Sequence, residues 1–445
     1  MPGMKMLAEL MRELEHQLGI CMRCGMCQAV CPLFSETGLE GDVARGKLAL
    51  LDGLLEEMFK DPKGVVERLN RCLLCGSCAA NCPSGVRALE IFIKARAILT
   101  GFMGLSPAKK LILRGMLSHP EIFDRMAAWG SKFQKIFTGP AHELMGTSCA
   151  RFVSPLIGDR HFTPLARIPF HRRIPSLNTP KGRSGIKVAF YVGCLLDKSF
   201  PHIAQDVVDV LHHHGVGIFM PNGQGCCGIP AISSGDTVTF NRLVRHNLEI
   251  LDAEKFDYLI TACATCTSTI KEIWPMMADK NSGYVKSRVA AIVQKTLDIN
   301  QFLVSRVGLE TPEAADAGDP VDVTYHDPCH LKKSLGVFAE PRALIKANPA
   351  YRLIEMPESD RCCGLGGSFN LAYYDLSANI GNVKLDHIRA SGCSMVATGC
   401  PACMLQLSDI LSKSDEKIQV KHPIEIYAAL LRNSGSSKFF KKSGR

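Results

Sequence analysis

Long apolar runs are missing from this sequence: no stretch of 18 uncharged apolar residues occurs, so the chain is not expected to span a membrane by itself. An export signal is not expected either, because the first twenty residues mix acids and bases at helical spacing. No glycine-rich phosphate loop follows a first strand, so we expect neither flavin nor nicotinamide on this chain. Aromatic residues are not interleaved with basic ones, which argues against a nucleic-acid partner.

Cysteine, by contrast, is abundant, with 20 in a chain of 445 residues that is 46% apolar. The length predicts two or three packed domains rather than one core. Disulfide-rich secreted scaffolds are usually short and carry an export signal. We therefore expect a cytoplasmic, reduced protein in which the clustered thiols bind metals.

The first eight cysteines form two blocks, "CMRCGMCQAVCP" and "CLLCGSCAANCP", both with the spacing C-x2-C-x2-C-x3-C-P. Three thiolates at this spacing hold one face of an iron–sulfur cube, while the fourth ligates the other cluster. The predicted ligands of one [4Fe–4S] cluster are Cys21, Cys24, Cys27 and Cys82, and those of the second are Cys72, Cys75, Cys78 and Cys31. The alternative is two zinc sites, whose usual spacing is paired C-x2-C.

The two blocks are separated by the helical run "VARGKLALLDGLLEEMF". This favours a helical ferredoxin domain over the compact type built on small hairpins. Within the run, Arg45 and Lys47 either screen the charge of the clusters or are solvated helix residues. Outside the blocks, Cys149 and Cys393 fall in no motif and are expected to be ordinary thiols.

Ten further cysteines form an internal duplication in which a Cys-Cys-Gly stretch is preceded by one cysteine and followed by C-x2-C. The flanks agree as well, since "FMPNGQGCCG" matches "EMPESDRCCG". The first copy contains Cys194, Cys226, Cys227, Cys263 and Cys266; the second contains Cys329, Cys362, Cys363, Cys400 and Cys403. We predict that each set of five binds one inorganic group.

Short β-branched and aromatic runs such as "IKVAFYVG" and "VDVTYHD" predict buried strands, and helical patterns follow them. Alternating strands and helices indicate parallel α/β sheets, in which ligands bind beyond the carboxyl ends of the strands. Cys194, Cys263, Cys329 and Cys400 fall at those ends. Structural disulfides are the alternative use of these thiols. His326 and His330 flank Cys329 as hydrogen-bond donors, local caps or metal ligands.

Basic charge is concentrated in two places. Residues 151–185 contain seven Lys or Arg, one acid and five prolines, and the last thirteen residues add four positive charges. The first segment predicts a long basic linker, and the second a disordered tail. A cationic linker docks an acidic partner or an anionic membrane surface, or is only a solvated tether.

At the doubled cysteines the chain resembles the cysteine-rich "CCG" proteins, which include heterodisulfide reductase subunits and the iron–sulfur subunits of glycolate oxidase and lactate utilisation systems. The order of a double-cluster domain and two CCG domains is most similar to the glycolate oxidase subunit, and "CPSGV" and "DPCHL" strengthen the match. The resemblance implies an FAD-binding partner that oxidises a 2-hydroxy acid. Both copies here keep all five cysteines, which is closer to heterodisulfide reductase, where such motifs bind noncubane [4Fe–4S] clusters.

These observations predict an α plus α/β fold: a ferredoxin domain over residues 1–100, a helical segment and basic linker over 101–185, CCG domains over 186–300 and 320–432, and a tail over 433–445. The predicted function is electron transfer from a flavoprotein that oxidises glycolate or lactate to a quinone, cytochrome or other carrier. The isolated chain is not expected to oxidise the hydroxy acid. Disulfide reduction at a CCG-bound cluster and a zinc-binding scaffold are the alternatives. Peripheral association with the inner face of a membrane is compatible with both redox roles.

Overall fold

The computed structural model describes residues 2–141, 146–150, 160–278, 282–311, 319–414 and 416–433. The N-terminal domain is entirely helical in this part of the chain, as the sequence predicts. Its helices are Pro2–Met11, Arg12–Leu14, Glu15–Gly19, Met26–Val30, Pro32–Thr37, Glu40–Asp42, Ala44–Leu55, Lys63–Asn70, Ser77–Ala80 and Ala88–Met103. Leu7, Leu51 and Ile91 from three of these helices are fully buried in one core.

A helical and extended segment follows. It contains the helices Pro107–Lys110, Leu111–Leu117, Pro120–Phe137 and Phe170–Arg173 and an antiparallel ribbon of Thr138–Ala141, Ser148–Ala150 and His161–Phe162. The described part of the basic stretch, residues 160–185, is packed against the CCG domains and is not a solvated tether. Arg160 donates to the Asn370 carbonyl at 2.9 Å, the His161 amide donates to Asp409 at 2.7 Å, and Phe170 is fully buried.

The first CCG domain is built on a five-stranded sheet. In spatial order its strands are Leu177–Asn178, Gly217–Met220, Lys187–Phe190, Tyr258–Thr261 and Thr296–Asp298, and only the first is antiparallel. That edge strand comes from the basic segment, upstream of residue 186. The helices are Cys194–Lys198, Pro201–His213, Ile229–Ser233, Thr237–Ile250, Ala253–Lys255, Ala264–Ser268, Thr269–Ile273, Trp274–Met277, Gly283–Lys295, Ile299–Phe302 and Leu303–Val307.

The second CCG domain repeats this topology with a four-stranded parallel sheet in the spatial order Tyr351–Leu353, Val321–Tyr325, Met395–Ala397 and Gln419–Lys421. Its helices are His330–Ser334, Ala339–Lys346, Ser368–Ala372, Tyr374–Ala390, Pro401–Leu411 and Pro423–Asn433. In both sheets the first of the four parallel strands in the chain lies between the second and the third. The duplication seen in the cysteines is therefore a duplication of the fold.

The two CCG domains share a core. The last helix inserts Tyr427 and Leu431 among Val207 and Leu211 of the first domain. A backbone hydrogen bond of 3.1 Å from Ala264 to Gly399 also joins the carboxyl ends of the two sheets. This arrangement brings the cysteine-bearing ends of the two sheets together. No helix in the described residues combines the length and the apolar character that crossing a bilayer requires.

Candidate metal centres

The cysteines of the N-terminal domain surround two small cavities of about 30 Å³ each. One is lined by Cys21, Cys24, Cys27, Cys78 and Cys82, and the other by Cys31, Cys72, Cys75 and Cys78. The last cysteine of each block thus lies with the triplet of the other block. The structure thus places the cysteines in the crossed arrangement that the spacing predicts. Cys78 lines both cavities.

Local chain geometry explains how Cys31 leaves its own block. Pro32 occupies the first turn of the helix Pro32–Thr37, and Cys31 caps that helix by accepting from the Phe34 amide at 3.5 Å. Because proline fixes φ and the capping residue is extended, the chain turns away after Val30. Burial raises the pKa of the Cys31 thiol to about 12, so an uncompensated thiolate there is unfavourable without a metal.

The two basic residues of the interblock helix have different roles. Lys47 is buried, lines the second cavity and donates to the Asp42 carbonyl. Burial lowers its pKa, while the thiolates of Cys72 and Cys31 oppose that shift. Arg45 is part-exposed and pairs with Glu40 at 2.5 Å. Lys47 is therefore placed to balance the charge of a thiolate-bound group and is not a solvated helix residue.

All ten CCG cysteines line one shared cavity of about 250 Å³. The sequence indicated one site per copy, whereas the structure joins the two sets across the carboxyl ends of both sheets. Leu73, Leu74 and Cys75 of the N-terminal domain close one side of this cavity. His330 lies at the junction of all three domains, 3.3 Å from Thr265 Oγ1 and 3.3 Å from the Leu74 carbonyl oxygen.

Glycine holds each cysteine pair in place. Gly228 and Gly364 follow the pairs with φ of +98° and +94°, values that side chains with a Cβ rarely adopt. A Cβ at Gly228 would also meet the Phe240 ring at 2.7 Å, and one at Gly364 would meet the Ser377 carbonyl oxygen at 2.5 Å. Both glycines are therefore required by conformation and by close packing.

The thiols form one unbroken series of neighbouring side chains. Along it lie Cys194, Cys226, Cys227, Cys266, Cys263, Cys400, Cys403, Cys363, Cys362, Cys329 and Cys75. The two copies meet at Cys263 and Cys400, and the N-terminal domain joins at Cys75. Hydrogen bonds from Cys226 and Cys266 hold the pKa of Cys227 well below its ordinary value, and Cys362 and Cys403 do the same at Cys363.

The donor set fits iron–sulfur clusters. The cavities bring sulfur atoms together, and clustered soft thiolates favour iron–sulfur or zinc over magnesium and calcium. A structural zinc site is closed around one ion by four ligands. Ten cysteines around a cavity of about 250 Å³ exceed that requirement and match bulkier groups. All twenty cysteines are free thiols.

Two lysines that the sequence motifs do not predict lie beside the second set, Lys333 half-buried and Lys384 fully buried. Lys333 donates to Ser77 Oγ and to the Asp360 carbonyl, both at 2.7 Å. Lys384 is fully buried and donates to the Glu358 carbonyl at 2.6 Å. The sequence signal for Lys333 is its position four residues after Cys329. Lys198 lies four residues after Cys194 in the first copy, so the duplication places a lysine near the first cysteine of each set.

Comparison with known families agrees with this architecture. The 4Fe-4S dicluster domain family matches residues 17–86, and the cysteine-rich domain family, CCG, matches residues 188–271 and 323–408. The chain therefore contains one domain that matches the dicluster family and two copies that match the cysteine-rich family. The resemblance and the fold class predicted from the motifs are thereby confirmed.

Individual relatives are redox proteins. The chain is 28% identical to the "Probable glycolate oxidase iron-sulfur subunit" of Bacillus subtilis, over 88% of this chain and 89% of that one. It is 26% identical to a fumarate reductase (CoM/CoB) subunit of Methanothermobacter marburgensis, over 88% and 68%. "Lactate utilization protein A" of an Exiguobacterium strain is 28% identical, over 54% of this chain and 96% of the relative.

Proposed function

We propose that this chain is the iron–sulfur electron-transfer subunit of a flavin-linked 2-hydroxyacid dehydrogenase acting on glycolate or lactate. The similarity to a glycolate oxidase subunit and to a lactate utilisation protein supports the substrate class. The observation that carries the electron-transfer role is the contact of Cys75 with Cys329 and Cys362. Cys75 lines both the second cavity of the dicluster domain and the CCG cavity.

In this proposal Cys21, Cys24, Cys27 and Cys82 hold one cluster, and Cys31, Cys72, Cys75 and Cys78 hold the second. Each CCG set of five holds one further iron–sulfur cluster. Such clusters, when bound, accept and release single electrons. The remaining residues exclude water and balance charge: Leu73, Leu74 and Leu365 line the central cavity, and Lys47 and Lys333 lie beside the thiolates.

The flavoprotein partner is proposed to dock where the first cavity reaches the surface. Cys24 is exposed there, and Met22 and Met26 beside it are 72% and 52% exposed. Methionine and arginine are enriched at protein interfaces, and Arg23 lies between these residues. A flavin carried by a partner at this surface would lie near the most exposed cysteine of the chain.

The test is dye reduction by glycolate and by lactate with anaerobically loaded chain. We expect no turnover from the isolated chain and turnover after addition of the FAD-binding partner subunit. Met22→Glu with Met26→Glu should raise the flavoprotein concentration needed for half-maximal rate roughly tenfold or more. Val238→Glu, at a residue that is also exposed, is the control. Turnover by the isolated chain would refute the division of labour.

A second candidate function is reduction of a disulfide, and the shared cavity favours it. Ten sulfurs around one apolar space offer room for a sulfur-containing substrate. The test is anaerobic turnover of a heterodisulfide with a reduced viologen dye, using Cys227→Ala and Cys363→Ala as the variants. Robust turnover that either substitution abolishes would replace the electron-transfer proposal by this one. Absence of turnover would leave the cavity as an electron relay.

We also propose that the chain associates with an anionic membrane surface through the helix Pro120–Phe137. Ile122, Met126, Trp129, Phe133 and Ile136 are exposed and recur at alternating spacings of four and three, which places them on one helix face. Arg125 and Lys132 are exposed on the same helix, and Arg167, Arg172 and Arg173 are exposed on the adjoining segment. Aromatic and aliphatic residues with basic neighbours are typical of interfacial helices.

Vesicle flotation tests this association. We expect the chain to float with anionic vesicles, to float less with neutral ones, and to lose flotation when Trp129→Ser and Phe133→Ser are combined. Val238→Ser is the matched control on another exposed apolar residue. Equal flotation with both vesicle types would refute the proposal. Loss of flavoprotein binding by the double variant would assign this face to the protein partner instead.

A further inference from the structure

The two CCG sites have the same five sulfurs but differ at one buried position. Three residues before the first cysteine, the first copy has Tyr191 and the second has His326. Both side chains are fully buried at the carboxyl end of the central strand of their sheet. The duplication therefore places a phenol and an imidazole in corresponding places beside the two sets of thiols.

Tyr191 has no free donor. Its hydroxyl donates to the Gly225 carbonyl at 2.6 Å, so its only O–H is already bonded to the backbone. Burial raises the pKa of this phenol well above its ordinary value, which keeps it neutral. Tyr191 thus supports the Cys226 loop, and it leaves the sulfurs of the first site without a side-chain N–H or O–H from this position.

His326 is the opposite case. Neither ring nitrogen has a nitrogen or oxygen partner among the described residues, although both are fully buried. An imidazole always carries at least one N–H, and a buried donor without a partner costs about 1–3 kcal/mol. The ring faces sulfur: one ring nitrogen and the sulfurs of Cys363 and Cys403 all lie within 4.8 Å of one another.

We propose that His326 donates a hydrogen bond to the Cys363 sulfur and thereby makes the second CCG site easier to reduce than the first. This rests on the proposed function, in which the CCG cysteines hold iron–sulfur clusters. A hydrogen bond to a ligating thiolate stabilises the more negative, reduced state of the bound group. Because the Tyr191 hydroxyl is committed to Gly225, the first site receives no such hydrogen bond from the corresponding position.

Of the two CCG sites, the second is the one whose cysteines contact the dicluster domain. Cys329 and Cys362 contact Cys75 of the dicluster domain, whereas Cys263 of the first set contacts Cys400 of the second. Lys333 adds positive charge to the same side. An electron arriving from the dicluster domain therefore meets the site with the imidazole donor first. In this proposal His326 acts through the Cys363 sulfur, whose negative charge it stabilises, and does not contact a substrate.

The test is a redox titration of the loaded chain followed by electron paramagnetic resonance. His326→Leu removes the donor and should lower the midpoint potential of one CCG signal while leaving the other in place. His326→Gln, which retains an N–H donor, should restore most of the potential. Tyr191→Phe is the matched control in the first copy and should leave the potential of the second site unchanged.

A second readout uses the unaltered chain. Electron–nuclear double resonance should detect an exchangeable proton coupled to the second CCG site, and His326→Leu should remove it. A strong ¹⁵N coupling from labelled histidine would overturn the proposal, because the imidazole would then be a metal ligand. Unchanged potentials with full iron content would also overturn it while leaving the proposed function intact. Absence of iron from the CCG sites would refute both.

Discussion

Cys75 lies at the boundary between the N-terminal domain and the CCG cavity. By its spacing it belongs to the second cluster of the N-terminal domain, and it lines that cavity with Cys31, Cys72 and Cys78. Its sulfur also contacts Cys329 and Cys362, and those contacts hold its pKa well below the ordinary value. Cys75 therefore lines two candidate metal sites, the second cavity of the N-terminal domain and the CCG cavity.

The crossed ligation gives the first prediction. Cys31→Ser should remove the cluster whose other ligands are Cys72, Cys75 and Cys78 and should leave the cluster of its own block in place. Iron content should fall by about four per chain, the content of one [4Fe–4S] cluster, with one resonance signal lost. Cys149→Ser, outside every motif, is the control. Loss of the signal assigned to Cys21, Cys24 and Cys27 would contradict the assignment.

At the scale of elements, the carboxyl ends of the strands carry buried polar groups as well as cysteines. Asp298 ends the strand Thr296–Asp298 and caps the next helix, accepting from the Asn300 amide at 2.8 Å. Its second carboxylate oxygen is buried and has no partner among the described residues. Burial raises the pKa of Asp298 to about 7, so the charged form is disfavoured in the folded chain.

This gives a pH-dependent prediction for Asp298→Asn. A carboxyl whose folded pKa is raised contributes stability below its unfolded pKa, and that contribution is lost as the pH rises to about 7. The variant should match wild type near pH 4 and be more stable at pH 8 by on the order of 4 kcal/mol, since a pKa raised by one unit corresponds to about 1.4 kcal/mol. Thermal unfolding at both pH values tests this, with the exposed Asp386→Asn as the control. Equal melting temperatures at pH 8 would contradict it.

Arg96 connects the helices of two domains. It is buried in the helix Ala88–Met103 and donates to the Cys72 and Ser233 carbonyls at 2.7 Å each, and also to the Leu69 carbonyl. The dicluster domain is thereby held against the first CCG domain.

Replacing this guanidinium should loosen that interface. Arg96→Met would leave three carbonyls without their donor, and we expect a loss of about 3 kcal/mol of stability. The measurement is the apparent melting temperature of the loaded chain, with cleavage by a protease between residues 104 and 160 as a second readout. Arg87→Met, at an exposed residue of the same region, is the control. Unchanged melting and unchanged cleavage would show that other contacts hold the domains together.

At the scale of the whole molecule, metal content separates the two kinds of site. The dicluster domain alone accounts for about eight iron per chain, given two [4Fe–4S] clusters. Anaerobically prepared chain should contain more than this, because the CCG sets are proposed to be loaded. Combining Cys227→Ala with Cys363→Ala should return the content to about eight. Zinc with little iron would contradict the assignment of the N-terminal domain.

The spacing of the cysteines along the chain predicts most of the domain organisation. The C-x2-C-x2-C-x3-C-P blocks indicated the dicluster domain, and the repeated pattern around Cys226 and Cys362 indicated the duplicated α/β domains; both conclusions are confirmed. The signal is strong because cluster ligands within one block must follow one another at fixed intervals, and buried parallel strands are nearly continuous apolar runs. The ligand sets, the domain boundaries and the tail remain predictions, and residues 434–445 lie outside the described residues.

The tertiary structure decided what no spacing encodes. It alone brings Cys263 to Cys400 and Cys75 to Cys329, packs the basic segment against both CCG domains and buries Lys384 and His326 beside sulfur. These contacts join residues far apart in the chain, and they depend on how two separately specified sheets pack through shared helices such as Pro423–Asn433. Periodicity in a sequence records which face of an element is buried, but not which distant element covers it.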